Sequence, residues 1–597
     1  MRRLLALSVG TLLLGAPVTA CASAAPRAAP GRAARDLPED EARALHPLAE
    51  TYDSLRRDAG SAMQSPERLL ALLQLAGRAH LQTAWRLDYH HLRAARDTRD
   101  EASARREDSL AVAEDQVFER VGSAIAALAD STFERLMSQS PELAAYRTYV
   151  AEARRTSRHR PPPQVAELQA AATAWPFALY QRLVDRTEFG TVPTAHGALD
   201  VRRQRAAIAA DPDSAVRESG YQKLAAGYAR ERDLYAVVLI GTVRSQNAMA
   251  RAFGEPDAPT RVYGSRQLAP AEVRALIAAV RSRGALFQRY EAAVARMRAA
   301  LGGRPAPRLS LAQTRDALRS ALSDLGSEYA GELTTLLDPA QGRLDLGPGE
   351  HRRSGGFSFV LPSGEHGVYL DSFSGLPAEV SRLVHESGHA LHRESFEHGT
   401  APTVCHPAFS EAVAQFGEVL VAERLARMAG VPADALQWRQ QELLKLLEVF
   451  LGAKDAELEQ AIYDGVAGGA VNTADDLDSL TARVDSAYTR DRRPGSSGRW
   501  MRTGLLFEDP LYLSNYLYSG SIILALVQQH AADPAVFAPR YRAFLYSAAE
   551  EPPHAMLRRT VGLNLDSPDF LRDGFALLED RIAAFEREIA HVEAGPR

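Results

Sequence analysis

The stretch Pro377–Leu391, PAEVSRLVHESGHAL, is the most informative part of the 597-residue chain. Pro377 suits the first turn of a helix, and Val380, Leu383, Val384 and Leu391 then recur at helical spacing as an apolar stripe. Read as a helix, the stretch sets His385 and His389 one turn apart on one face, with Glu386 beside them. Two imidazoles so placed can reach one metal ion, and the neighbouring carboxylate can take a proton from water that the ion activates. A helix with solvent-facing histidines is the plain alternative.

A catalytic zinc takes three protein ligands and keeps a position for water, so a third ligand is expected downstream. His406–Met428 reads as a helix that ends before Gly430. Phe409, Ala412, Val413, Phe416, Val419 and Leu420 make most of its surface apolar, yet Glu411, Gln415 and Glu418 share one stripe. Carboxylates on a largely buried helix need partners. A metal on His385 and His389 would satisfy Glu411, and Glu418 could orient one of the histidines from behind. His392, one turn beyond His389, reads as a packing or supporting residue, and Cys405 as a buried structural thiol.

Helical patterning continues outward from this region. Ser214–Phe253 and Ala269–Leu301 each read as a long amphipathic helix. Pro161-Pro162-Pro163 interrupts the N-terminal helical part, and Gly190–Gly197 separates it from the rest. The expected division is a helical domain over 39–200 and a larger catalytic domain over 201–597. The one convincing β region is a hairpin of Gly355–Leu361 and His366–Phe373 around Pro362-Ser363-Gly364. The fold class is therefore mainly α, with a small sheet or hairpin beside the site.

Composition limits the partners. The chain is 46% hydrophobic and 24% charged, as in ordinary globular proteins, and its net charge of −5 leaves no basic excess for nucleic acid. Lys223, Lys445 and Lys454 are the only lysines among 70 basic residues, and none sits in a phosphate-binding Gly-rich loop. Two cysteines, Cys21 and Cys405, cannot build a disulfide framework. At the N-terminus, Arg2-Arg3, an apolar run from Leu4 to Val18 and then Val18-Thr19-Ala20-Cys21 resemble a bacterial lipoprotein signal. Residues 1–20 are then the signal peptide, Cys21 the lipidated residue and 21–38 a tether; cleavage near Ala22 to Ala25, or an uncleaved anchor, are the alternatives. The body is expected outside the cytoplasm, touching a membrane only through that lipid.

Taken together, His385-Glu386-Ser387-Gly388-His389-Ala390-Leu391-His392, Phe409-Ser410-Glu411 and Glu418 resemble the thimet oligopeptidase and oligoendopeptidase F family of zinc peptidases, closest to the oligoendopeptidase F branch. Arg353-Ser354-Gly355-Gly356 resembles its substrate-side loop, and Trp500 with Tyr512, Tyr516 and Tyr518 its late Tyr-rich segment. The resemblance implies a helical body with a deep substrate channel and one zinc per chain on His385, His389 and Glu411, with Glu386 as general base. It also implies a phenol that donates to the oxyanion. Tyr518 fits the register best, because Tyr-x-Tyr precedes small residues; Tyr516 is second, and Tyr512 is a substrate contact. The implied activity is hydrolysis of internal bonds in short peptides. A C-terminal exopeptidase and a silent peptide-binding lipoprotein are the other readings. One departure stands out: the family's late His is replaced by Glu508-Asp509-Pro510, and no His lies between His406 and His530.

Overall fold

The computed structural model describes residues 41–594, apart from 159–175, 398–405, 548–551 and the single positions 145, 185, 196, 203, 212, 350, 354 and 492. The signal peptide, Cys21, the tether, Ser354 and Cys405 therefore lie outside the described residues. Helices dominate, as the periodicity requires, and the two long helical runs each divide in two. Ser214–Phe253 becomes Ser214–Ala229 and Arg232–Ala252, and Ala269–Leu301 becomes Pro270–Arg281 and Gly284–Leu301. At the second break the new helix opens on Gly284, where a β-carbon would stand 2.0 Å from the Ala487 carbonyl oxygen, so only glycine fits there.

The N-terminal helices, from Glu41–Ala62 onward, enclose their own apolar core between Leu48 and Val150. A much larger core runs from Tyr180 to Ile589. The glycine-bounded segment near residue 195 folds as an antiparallel pair, β1 (Thr191–Thr194) and β2 (Gly197–Asp200), and Val192 joins the larger core.

The expected hairpin is present and carries one further strand. β3 (Leu344–Asp345) pairs parallel with β5 (His366–Leu370), which pairs antiparallel with β4 (Gly356–Val360), in the order β3-β5-β4. Every residue of β4 and β5 is buried. A third cluster, Leu92 and Ala95 with Phe357, Phe359 and Tyr369, shows why: the helix Pro66–Arg96 covers this sheet. Asp88 of that helix accepts the Val360 N–H at 2.7 Å. Among the described residues no helix is long and apolar enough to cross a membrane.

The motif helix (Pro377–Glu397) follows the sheet and packs on the carboxylate helix (Pro407–Met428). Behind them lie the helices Pro432–Leu446, Glu448–Ala467 and Ser514–Ala532. Glycines set the spacing here. A β-carbon on Gly452 would meet the Tyr516 carbonyl carbon at 2.5 Å, and one on Gly520 would meet the Val449 Cα at 2.6 Å.

Candidate metal centre

The motif helix starts where Glu379 reaches back to accept the Ser374 and Leu376 N–H groups, at 2.7 and 3.1 Å. These donors precede the helix and would otherwise be unpaired. Two turns later His385 and His389 face the carboxylate helix, which begins at Pro407 behind His406, whose Nδ1 accepts the Ala408 N–H at 3.3 Å. The two Nε2 atoms stand 3.1 Å apart, and Glu411 lies 3.6 Å from the first and 3.8 Å from the second. One ligand atom from each of His385, His389 and Glu411 falls within 4.8 Å of the others.

What lies behind the histidines fixes their free atoms. Glu418 Oε1 is 2.7 Å from His385 Nδ1, and an ionised carboxylate can only accept, so Nδ1 carries a proton and Nε2 is the ring atom turned into the cluster. Ser410 Oγ is 2.9 Å from His389 Nδ1 and leaves the second Nε2 inward. Glu418 is in turn held by Ser381 and by Lys445, whose Nζ is 2.8 Å from Oε2.

Burial and mutual charge shift every titratable group of the cluster. Burial pushes Glu411 up to about 7, against the pull of His385, and pushes Glu386 up to about 7 as well. Burial lowers His389, and the neighbouring His385 charge lowers it further. For His385 burial is outweighed by Glu418, and the ring is raised to about 9. Glu386 is fully buried, and neither carboxylate oxygen has a hydrogen-bond partner. Two inward ring nitrogens 3.1 Å apart and two costly carboxylates are the donor set that a cation satisfies, taking the place of a proton between the rings.

The sheet meets the base at one glycine. A β-carbon on Gly356, the first residue of β4, would lie 3.1 Å from Glu386 Oε1 and 2.5 Å from Leu370 Cδ2. Gly356 is thus needed for the strand to pass Glu386. Arg353, just before it, is tied to the N-terminal helix through its N–H to the Ala95 carbonyl at 2.7 Å and its guanidinium to His91 at 2.9 Å.

The tyrosines divide by helix geometry. Tyr512 and Tyr516 stand edge to face with ring centroids 5.8 Å apart; burial raises both phenols, and the charge of Glu411 is the next cause. Tyr518 is elsewhere. Its hydroxyl donates to Glu272 at 2.8 Å, on the opposite side of a helix in which residues two apart lie about 200° around the axis. Tyr518, expected as the oxyanion donor, is thus engaged with Glu272, whereas Tyr516, the second choice, and Tyr512 both feel the charge of Glu411. His392 is buried and pulled down to about 4 by that burial, and the ligand group does not include it. At the departure from the family pattern, Glu508 is exposed with Arg353 as its opposing charge, while Asp509 lies 3.9 Å from Arg266. Arg266 also holds the carbonyl of Leu511, which has a φ of +65°.

Sequence reasoning missed Ser381, Ser410, Arg266 and Lys445. Only Ser410, beside Glu411, and the rarity of lysine offered a signal.

No protein-family model matches the chain. Over most of its length it superposes on the crystal structure of oligoendopeptidase F from Enterococcus faecium, covering 93% of this chain and 99% of that one, with 17% identity and a TM-score of 0.65. The chain has the oligoendopeptidase F fold. A second crystal structure, of a protein from Chlamydophila abortus, covers 91% of this chain and 97% of that one at 19% identity and a TM-score of 0.72. Among curated proteins the oligoendopeptidase F homolog of Lactococcus lactis is 23% identical over 273 residues. That match spans 45% of this chain and 44% of the relative, less than half of the oligoendopeptidase F homolog's length.

Proposed function

We propose that the chain is a zinc-dependent oligopeptidase that hydrolyses internal bonds of short peptides. One observation carries the reading: His385, His389 and Glu411 converge on one point, with the partnerless carboxylate of Glu386 beside it. The oligoendopeptidase F fold and the Lactococcus lactis relative support it. His385, His389 and Glu411 would hold the ion. When bound, zinc supplies Lewis acidity to the attacking water and the scissile carbonyl.

The chain's own groups do the rest. Glu386 takes the proton of the attacking water and passes it to the leaving amine, a role suited to a buried carboxylate with no other partner. Tyr516 donates its phenolic proton as a hydrogen bond to the oxyanion, since a phenol held neutral by burial remains a donor. Glu418 and Ser410 keep both rings turned inward. Because all four central side chains are buried, a substrate must be a narrow extended chain, which favours short peptides over folded proteins. Export as a lipoprotein through Cys21 belongs to the same proposal.

The test is hydrolysis of a mixed peptide library by purified protein, with and without a chelator, followed by mapping of the cuts. Internal cuts that vanish with chelator and return with zinc are expected. Cleavage unaffected by chelator would overturn the zinc reading, and removal of residues only from C-termini would replace it with an exopeptidase.

A further inference from the structure

The rarity of lysine acquires a meaning in the structure. Two other buried carboxylates in this protein are met by arginine: Glu442 by Arg439 and Arg581, and Asp485 by Arg499. Behind the metal centre the partner is Lys445, one of three lysines in the chain. Its Nζ stands 2.8 Å from Glu418 Oε2 and 2.8 Å from Glu448 Oε1, with the Lys445 side chain 16% and the Glu418 side chain 1% exposed. A planar guanidinium presents its donors as a wide fork, whereas an ammonium is a compact charge that can sit between two carboxylates from different helices.

We propose that Lys445 is a positioning residue of the metal centre, clamping Glu418 so that its other oxygen stays on His385. Glu418 reaches three partners: Oε1 meets His385 Nδ1, and Oε2 is shared by Ser381 and Lys445. Ser381 is itself fixed by the Gln441 side chain, at 3.0 Å. Without the ammonium, Oε2 keeps only a hydroxyl, and the carboxylate can rotate away from the ring. Glu448, the other carboxylate on Lys445, would be left buried without a cation. One ammonium between two carboxylates also leaves one negative charge in the pocket, facing the side of His385 on which a dication would sit. The chain of contact is therefore Lys445, Glu418, His385, metal.

This inference rests on the zinc reading, and zinc affinity of the full-length protein tests it, measured by competition with a chelator of known affinity. Wild type, Lys445→Met, Glu418→Gln and the double variant form a cycle. Lys445→Met is expected to weaken zinc binding by roughly ten- to a hundredfold, the usual cost of losing a supporting partner. In the Glu418→Gln background it should cost less than about threefold more, because the lysine acts through that carboxylate. If Lys445→Met does not fold, Lys445→Met with Glu448→Gln removes one charge of each sign and is expected to show the same loss. Wild-type affinity in the variant that folds would overturn the assignment while leaving the zinc reading intact, as would equal losses in both backgrounds. A wild-type protein that binds no zinc would overturn both.

Discussion

Gly388 of the motif helix meets Ala414 of the carboxylate helix so closely that a β-carbon on Gly388 would stand 2.8 Å from the Ala414 Cα. This contact sets the separation of the two helices, and the separation brings Glu411 within 3.6 Å of His385. Gly388→Ala must push the helices apart or strain them, because a neighbouring backbone cannot move as a side chain can. The expected cost is about 1–3 kcal/mol of stability together with weaker zinc binding. Thermal unfolding and a zinc titration check both, and an unchanged protein would mean that the helix pair adjusts freely.

Glu386→Gln separates chemistry from metal binding. Turnover should fall by at least a hundredfold while zinc stays bound, since the residue moves a proton and is not a ligand. The same variant reports a buried charge. In the metal-free fold the Glu386 carboxyl titrates near 7, above its ordinary value of 4.5, because burial disfavours the ionised form. Its contribution to stability is whole below pH 4.5 and is lost as the pH rises through 7. Gln stays neutral. Metal-free Glu386→Gln should therefore match wild type near pH 4 and exceed it near pH 8, by up to roughly 3 kcal/mol. Denaturant unfolding at the two pH values measures this, and a variant less stable at pH 8 would contradict it.

The convergence of the candidate metal ligands was legible in the sequence because a helix converts spacing into direction: His385 and His389 four apart, and Glu411 and Glu418 seven apart, need no tertiary knowledge to share a face. The helical class and the hairpin were legible for the same reason. The choice between Tyr516 and Tyr518 was not legible, because Tyr-x-Tyr identifies a segment but leaves its rotation open; the two point to opposite sides, and which side faces Glu411 depends on how Gly452 and Gly520 seat the helix. The division of the long helical runs was hidden too, since Gly284 reveals its role only against Ala487. Lys445 lies on another helix, Pro432–Leu446, and nothing in local pattern ties it to Glu418.

The two tyrosines should behave differently when each loses its hydroxyl. Tyr516→Phe is expected to lower kcat by roughly a hundredfold or more with little change in KM, as removal of an oxyanion donor does. Tyr518→Phe should keep kcat within a few-fold, because its hydroxyl serves Glu272, and should cost about 1 kcal/mol of stability. Steady-state kinetics on one peptide with both variants decides the assignment. The reverse order of effects would return the role to Tyr518.

Glu508 and Asp509 stand where the resemblance read from the sequence would place a His, and an ionised carboxylate cannot donate to a substrate carbonyl as an imidazole can. Asp509 supports the backbone instead, since it lies 3.9 Å from Arg266, which also holds the Leu511 carbonyl in the strained turn leading to Tyr512 and Tyr516. Glu508 is the exposed member, and Arg353, on the loop that precedes β4, is its opposing charge. An exposed carboxylate beside the base-bearing side of the site would favour a positively charged residue in the substrate. A peptide with a basic residue near the cut should then show kcat/KM about two- to fivefold above a neutral match, the scale of an exposed ion pair, and the difference should shrink at high salt. Glu508→Gln should erase the preference and leave the rate on the neutral peptide unchanged. Asp509→Asn should lower the rate on both peptides and keep their ratio, because it loosens the turn that carries the tyrosines. A basic-to-neutral ratio that survives Glu508→Gln would show that this carboxylate does not face the substrate.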